Sequence, residues 1–415
     1  MSPRSSYAVV TAAYWAFTLT DGALRMLVLL HFNALGYTPV QLAFLFLFYE
    51  LFGVVTNLLG GVLAARLGLK ATLTAGLLLQ VVALAALAGL RPGLRVSASV
   101  ALVMGAQALS GIAKDLTKMS AKSFIKVLVP DDVKGALFKW VAVLTGSKNA
   151  LKGVGFFLGG VLLSWLGFRG SLLAMAAAVA LVFAGAQASL PPGLGRASAK
   201  ARFKGVFSRN RKVNVLSAAR FFLFGARDVW FVVGVPVFLY GLGWSFTRVG
   251  AFLALWVIGY GVVQSFAPLL IRRWTGGVAP GGRSLSVLAF LLAAVPAGIA
   301  AGLHLGVRPV ALVVLGLALF GVLFALNSSI HSYLILAYSD GDRVAMNVGF
   351  YYMSNAGGRL AGTLLSGLLF QLAGIPGCLW GSAILAALAG VLPLGLPRGH
   401  GTPAFAGARR RWLQR

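Results

Sequence analysis

The chain has 415 residues, 59% of them apolar and only 11% charged, with a positive mean hydropathy, a make-up outside that of ordinary soluble domains. A net charge of +28 would point to nucleic acid in a soluble protein, but most basic residues lie in short segments between long apolar runs, where membrane orientation accounts for them. One cysteine, Cys378, excludes a disulfide framework, and the four histidines (His31, His304, His331, His400) lack metal-ligand spacing, so neither metal nor cofactor is expected.

A spanning helix takes roughly 20 mostly apolar residues. Apolar runs bounded by Gly, Pro, Asn or charge predict spans at 7–32, 39–65, 71–90, 97–128, 136–166 and 169–189, then at 214–240, 246–271, 284–303, 309–337, 344–373 and 376–397. The run opening at Tyr7 is too long for the core of a cleaved signal peptide and reads as the first span. Residues 1–189 and 214–397 thus form two six-helix halves, joined by a basic linker at 190–213 and followed by a basic tail at 398–415. With the N-terminus inside, cytoplasmic segments hold 24 Lys and Arg and external loops hold 5, which predicts cytoplasmic termini.

The halves repeat each other. At a spacing of 207 residues Phe17 pairs with Phe224, Asp21 with Asp228, Leu35-Gly36 with Leu242-Gly243, Thr38 with Ser245 and Val55 with Val262. At 209, Ser123 pairs with Ser332, Asp131 with Asp340, Lys134 with Arg343, Leu151 with Leu360 and Gly153 with Gly362. Two parallel six-helix repeats describe the major facilitator architecture, an all-α membrane fold of twelve helices in pseudo-symmetric halves. The connection GGVLAARLGLKATL resembles that superfamily's loop pattern through Gly61, Leu63, Arg66, Gly68 and Lys70, a candidate gating loop. Ala65 stands where the pattern has aspartate, which puts the usual gating salt bridge in doubt.

Three further stretches, YWAFTLTDGALRMLVLLHFNALGY, FLFYELFGVVTNLLGG and KDLTKMSAKSFIKVLVP, at 14–37, 46–61 and 114–130, resemble the ArsJ family of organoarsenical efflux permeases. That resemblance implies a bacterial inner-membrane exporter of 1-arseno-3-phosphoglycerate that confers arsenate resistance. It also implies a functional link to the glyceraldehyde-3-phosphate dehydrogenase that makes this anion. The alternative is a proton-coupled major facilitator exporter of another organic anion or of drugs. A membrane enzyme or an ATP-driven pump would need a nucleophile with its base, a metal cluster or a phosphate-cradling loop, and the sequence carries none of these motifs.

Ionisable residues at mid-membrane cost about 2.5–3.5 kcal/mol each on insertion scales, so they mark wet cavities or one another. Once the 24 cytoplasmic and 5 external Lys and Arg are set aside, seven basic residues remain within the spans: Arg25, Lys114, Lys148, Lys152, Arg220, Arg227 and Arg359. Four acids join them, Asp21, Glu50, Asp115 and Asp228, as candidates for proton coupling or ion pairing. Arg25 and Arg227 lie in helices that the repeat pairs, so two guanidinium forks would reach a central cavity from opposite halves and grip an oxyanion. This arrangement is similar to the paired-arginine site of organophosphate antiporters in the superfamily. Lys148, Lys152, Arg359, Lys114 and Lys118 complete the candidate substrate site, the last two on a stripe with Lys122 and Lys126, which read as inner-surface charges.

Structural roles compete with these. Asp21 and Arg25 could form an internal ion pair, and Glu50 could carry a coupling proton or pair with a lysine. As helix neighbours, Arg227 and Asp228 are not expected to face each other, and Arg220 is expected to snorkel to the cytoplasmic interface. Asn327, Ser328, Ser329 and His331 suit helix–helix hydrogen bonding, while Gly153, Gly155, Gly159 and Gly160 suit close packing during rocking.

Overall fold

The computed structural model describes residues 3–90, 93, 95–128, 134–191, 210–339 and 344–397, and every regular element in them is helical. The first half comprises α1 (Pro3–Ala34), α2 (Pro39–Leu45), α3 (Leu47–Leu67), α4 (Leu69–Ala88), α5 (Val96–Leu128) and α6 (Lys134–Ser189). The second comprises α7 (Arg211–Phe231), α8 (Gly234–Gly241), α9 (Phe246–Trp274), α10 (Gly282–His304), α11 (Pro309–Ala337) and α12 (Val344–Val391). Most of the linker, the whole tail, Asp131, Asp340 and Arg343 lie outside the described residues, as do the surroundings of Gly61 and the side chains of Arg66, Lys122, Lys126 and Lys134.

Nine stretches among the described residues are long and apolar enough to cross a membrane. α1 is not one of them, because Asp21 and Arg25 lower its hydropathy. α6, at 56 residues, would be about 84 Å long if straight, far more than a bilayer of about 30 Å. It breaks at Gly167 (φ 65°), and α12 breaks at Ala373 and Gly374 (φ 62°), so each supplies two crossings. Counting these two helices twice and adding α1 gives the twelve crossings expected from the apolar runs.

The left-handed glycines carry the repeat into the backbone. Gly36 (φ 83°) and Gly243 (φ 85°) end the turn after the first span of each half, and Gly167 and Gly374 end the fifth. Both pairs are 207 residues apart, and only glycine adopts such angles without strain. The sequence comparison found the first pair and missed the second.

The chain divides into two compact units. Unit 1 holds Met1–Lys204 with Phe231–Ile258 and Thr363–Leu372, and unit 2 holds Gly205–Trp230, Gly259–Gly362 and Ala373–Arg415. Within unit 1, α1 and α6 meet backbone to backbone: a Cβ on Gly155 would lie 2.5 Å from Leu19 O and 3.1 Å from Gly22 Cα, and one on Gly159 would strike Ala23 O. α6 also meets α9 this way, through Gly160 against Phe246 O (2.5 Å), Gly153 against Ala254 O (2.9 Å) and Gly250 against Phe156 O (2.8 Å). The glycines assigned to close packing therefore form a seam on two faces of one helix.

Unit 2 repeats the first of these contacts. A Cβ on Gly362 of α12 would lie 2.8 Å from Gly225 O and 3.1 Å from Gly225 Cα, so the first and fifth spans of each half meet glycine on glycine. Its apolar core gathers Val213, Leu216, Ala267, Leu285, Ile330 and Tyr351. Asn327 Nδ2 donates to Leu285 O at 3.0 Å, the helix–helix bond expected of that polar patch.

Candidate functional site

In unit 1, α1, α3 and α5 carry one polar network through the apolar interior. Glu50, 1% exposed, accepts from Arg25 Nη2 at 2.7 Å. Asp21 accepts instead from the Tyr49 hydroxyl, at 2.7 and 2.9 Å. The Asp21–Arg25 pair read as an alternative is thus replaced by two contacts from α1 to α3, because Tyr49 and Glu50 are neighbours that reach the two α1 side chains one turn apart. Glu50 has an arginine where a lysine or a proton was considered. The Arg25 guanidinium carbon also lies 5.3 Å from the Phe46 ring centre and 5.4 Å from that of Tyr49.

Lys114 joins the same ring from α5, with Nζ 3.9 Å from the Tyr49 centroid, a cation held by an aromatic face. Below it, fully buried Asp115 accepts from Lys118 Nζ at 2.6 Å and from Thr56 Oγ1 at 2.6 Å, while Lys118 also donates to Asn57 Oδ1 at 2.7 Å. Gly53 makes room for this cluster, since a Cβ there would lie 3.3 Å from Lys114 Nζ. Lys148 and Lys152 are half-buried on α6, with Lys152 Nζ 5.6 Å from the Phe156 ring.

In unit 2 a single carboxylate serves two arginines. Asp228, 1% exposed, accepts from Arg227 Nε at 2.6 Å and from Arg359 Nε at 3.3 Å. The expectation that Arg227 and Asp228 would not face each other is corrected here: the arginine stem is long enough to curl back on its neighbour. The Arg227 guanidinium also rests near Phe224 and Phe324, at 4.8 and 5.5 Å. Arg359 approaches from α12 beside Gly362, whose missing side chain lets α12 come close to Asp228, with a Cβ there lying 2.9 Å from that of the aspartate.

Arg220 is corrected as well. It is 5% exposed and does not snorkel: its Nη1 donates to Ser328 Oγ at 2.9 Å, and its guanidinium lies 4.1 Å from the Phe224 ring centre and 5.1 Å from that of Tyr351. A sequence signal for this existed. Ser217, Arg220, Phe224 and Arg227 recur at spacings of three and four, one face of one helix. His331, 1% exposed on α11, belongs to the same neighbourhood, with its ring 6.4 Å from Tyr351.

Of the candidate gating loop, Gly68 (φ 87°) makes the turn from α3 into α4, and Lys70 Nζ donates to the carbonyls of Gln187 (2.8 Å) and Leu190 (2.5 Å) at the end of α6. A cation on the last carbonyls of a helix is favourable both as a hydrogen-bond donor and toward the helix dipole. Lys70 therefore ties α4 to α6 in a loop that has Ala65 in place of the pattern's acid. No group of three His, Cys, Asp or Glu among the described residues is placed to hold a metal.

A helical bundle of two repeats with charges buried at membrane depth defines a class, the polytopic membrane transporter. The Major Facilitator Superfamily family profile matches residues 9–332, and the chain belongs to that superfamily. It is a membrane transporter rather than an enzyme. Among solved structures it is similar to a D-xylose–proton symporter, with TM-score 0.74 and 13% identity over 97% of this chain and 100% of that one. It is also similar to a mutant form of the nucleoside transporter NupG (TM-score 0.71, 15% identity, 95% and 98% covered). A POT family transporter in complex with 5-aminolevulinic acid resembles it to the same degree (TM-score 0.71, 16% identity, 95% of each chain). Among curated proteins none matches the sequence. At these identities the solved structures bear on the fold alone.

Proposed function

We propose that this transporter is a secondary exporter of a small polyanion, working by alternating access in a bacterial inner membrane with both termini cytoplasmic. The anion implied by the family resemblance is 1-arseno-3-phosphoglycerate, made by a partner glyceraldehyde-3-phosphate dehydrogenase. The observation that supports the reading most is the charge held at span depth. In unit 1, Arg25, Lys114, Lys118, Lys148 and Lys152 face three acids, Asp21, Glu50 and Asp115, and in unit 2, Arg220, Arg227 and Arg359 face Asp228 alone. Both units carry two cations in excess, an arrangement that repels cationic drugs and leaves positive charge for an anion to neutralise. On this reading Arg25, Arg227, Arg359, Lys114, Lys118, Lys148 and Lys152 bind substrate, and their present contacts hold them in place between cycles.

Everted vesicles from cells expressing the chain test it. Accumulation of enzymatically made 1-arseno-3-phosphoglycerate is expected, and accumulation of a neutral sugar or a cationic drug in its place would overturn the reading. A reporter fused after Lys204 should be active on the cytoplasmic side; activity confined to the other side would reverse the proposed topology.

One contact favours a proton-coupled version. Asp21 is 7% exposed and accepts from the Tyr49 hydroxyl, and in this version it is the acid that carries the coupling proton. Export should then follow an imposed pH gradient, and Asp21→Asn should retain exchange while losing uphill transport. Export indifferent to the gradient would favour exchange against inorganic phosphate.

A further inference from the structure

Three of the four buried or half-buried arginines in the described spans have a carboxylate: Arg25 has Glu50, and Arg227 and Arg359 share Asp228. Arg220 has none among the described residues. It donates to the neutral Ser328 hydroxyl, with the Ser328 carbonyl at 3.4 Å, and two aromatic faces flank it. Among the described residues its Nε is buried without a hydrogen-bond partner, and so is Nδ1 of His331, three residues beyond Ser328 on α11. Ser217 Oγ, nearly one turn before Arg220 on the same face of α7, is also buried and has no hydrogen-bond partner among the described residues.

These orphans share one chemistry. Arginine Nε is a donor only, a serine hydroxyl can donate, and imidazole Nδ1 donates in one of its two neutral tautomers and in the cation. A buried cation without a counter-charge is costly, and the aromatic faces and one hydroxyl offset only part of that cost. An oxyanion supplies both missing items, a negative charge and several acceptor lone pairs in the plane that a guanidinium edge grips. The geometry points to a second anion position, at which Arg220, with Ser217, Ser328 and His331 around it, holds one phosphoryl, arsenyl or carboxylate group of the transported solute. It lies seven residues, about two helical turns, from Arg227 on α7, so unit 2 offers two anion positions on one helix face. This inference rests on the proposed export of a polyanion and adds a residue that the paired-arginine reading left out.

The test is ligand-induced stabilisation of the purified full-length protein in an uncharged, phosphate-free detergent, so that lipid head groups do not compete. Inorganic phosphate and 3-phosphoglycerate serve as probes. A ligand that binds only the folded state raises the melting temperature in proportion to the logarithm of its concentration above Kd. The parent should show that rise with at least one probe, Arg220→Met should lose it, and Arg220→Lys should need roughly tenfold more anion, because lysine keeps the charge without the fork. Without ligand, Arg220→Met should melt no lower than the parent, since it removes an uncompensated buried charge; a purely structural arginine would instead lower it. A parent that responds to neither probe, or an Arg220→Met protein that responds like the parent, overturns the inference. The vesicle assay reads the export proposal separately: arsenophosphoglycerate export unaffected by Arg220→Met leaves that proposal standing while this one falls.

Discussion

The two charge networks solve the same problem in different ways. In unit 1 each of the three buried acids has its own partner: Glu50 has Arg25, Asp115 has Lys118 and Asp21 has the Tyr49 hydroxyl. In unit 2 one acid, Asp228, serves two arginines and a third arginine has no acid among the described residues. Paired charges cross-link helices and hold them in register, whereas charges in excess of acids leave a demand that a ligand can meet. Each unit keeps two cations in excess of its acids, so under the proposed export of a polyanion both would contribute anion affinity, unit 1 through cations framed by paired acids and unit 2 through arginines gathered about the single acid Asp228.

The largest effect that would break this contrast is loss of an acid in unit 1. Glu50→Gln strands Arg25 in an interior position, and breaking a buried pair from one side costs about 3–5 kcal/mol. A large fall in melting temperature and in membrane abundance is expected. Replacing both members, Glu50→Met with Arg25→Met, should recover most of that stability while leaving transport impaired. Equal stability of Glu50→Gln and the parent would mean that the pair does not hold α1 to α3.

A smaller effect is expected at the α6–α9 seam. Gly160→Val places a side chain where a Cβ already lies 2.5 Å from Phe246 O, and overpacking of this kind costs about 1–3 kcal/mol. Under the proposed alternating access such a seam would open and close in each cycle, so transport should fall further than abundance does. Transport in proportion to abundance would show that the seam does not move. The smallest effect is expected at Lys70→Met, which removes donors from the end of α6 and should cost about 0.3–1 kcal/mol, visible as a modest fall in melting temperature. No change at all would mean that these two bonds do not hold α4 to the end of α6.

Much of the fold was legible because a span is a local, one-dimensional signal. The run predicted at 309–337 is α11 (Pro309–Ala337), and that at 97–128 is α5 (Val96–Leu128) within one residue. The break at Phe46, which splits span two, lies among apolar residues with no polar interruption to read, whereas that at Val232–Val233 in span seven is followed by Gly234 and Pro236, breakers that the length of the apolar run outweighed. Which residues carry charge was equally plain, but who pairs with whom was not. Arg25 and Glu50 are 25 residues apart, and nothing local distinguishes Glu50 from Asp21, only four residues away, as the arginine's partner. Arg220 was misread for the complementary reason: closeness to a span end in sequence suggests snorkelling, whereas its neighbours across the fold, Ser328 and Tyr351, bury it.

The most direct measurement of the central idea, that guanidinium forks at span depth hold a polyanionic solute, compares Arg25→Lys and Arg227→Lys with the parent in everted vesicles at matched abundance. Lysine preserves each charge and can keep the contacts to Glu50 and Asp228, but it cannot bind an oxyanion in bidentate fashion. Loss of one charge-assisted hydrogen bond, about 1.5–3 kcal/mol, should weaken the apparent affinity for 1-arseno-3-phosphoglycerate roughly ten- to hundredfold. Transport by both lysine variants with the parent's affinity would contradict the account and leave Arg25 and Arg227 as ion-pair partners of Glu50 and Asp228 alone.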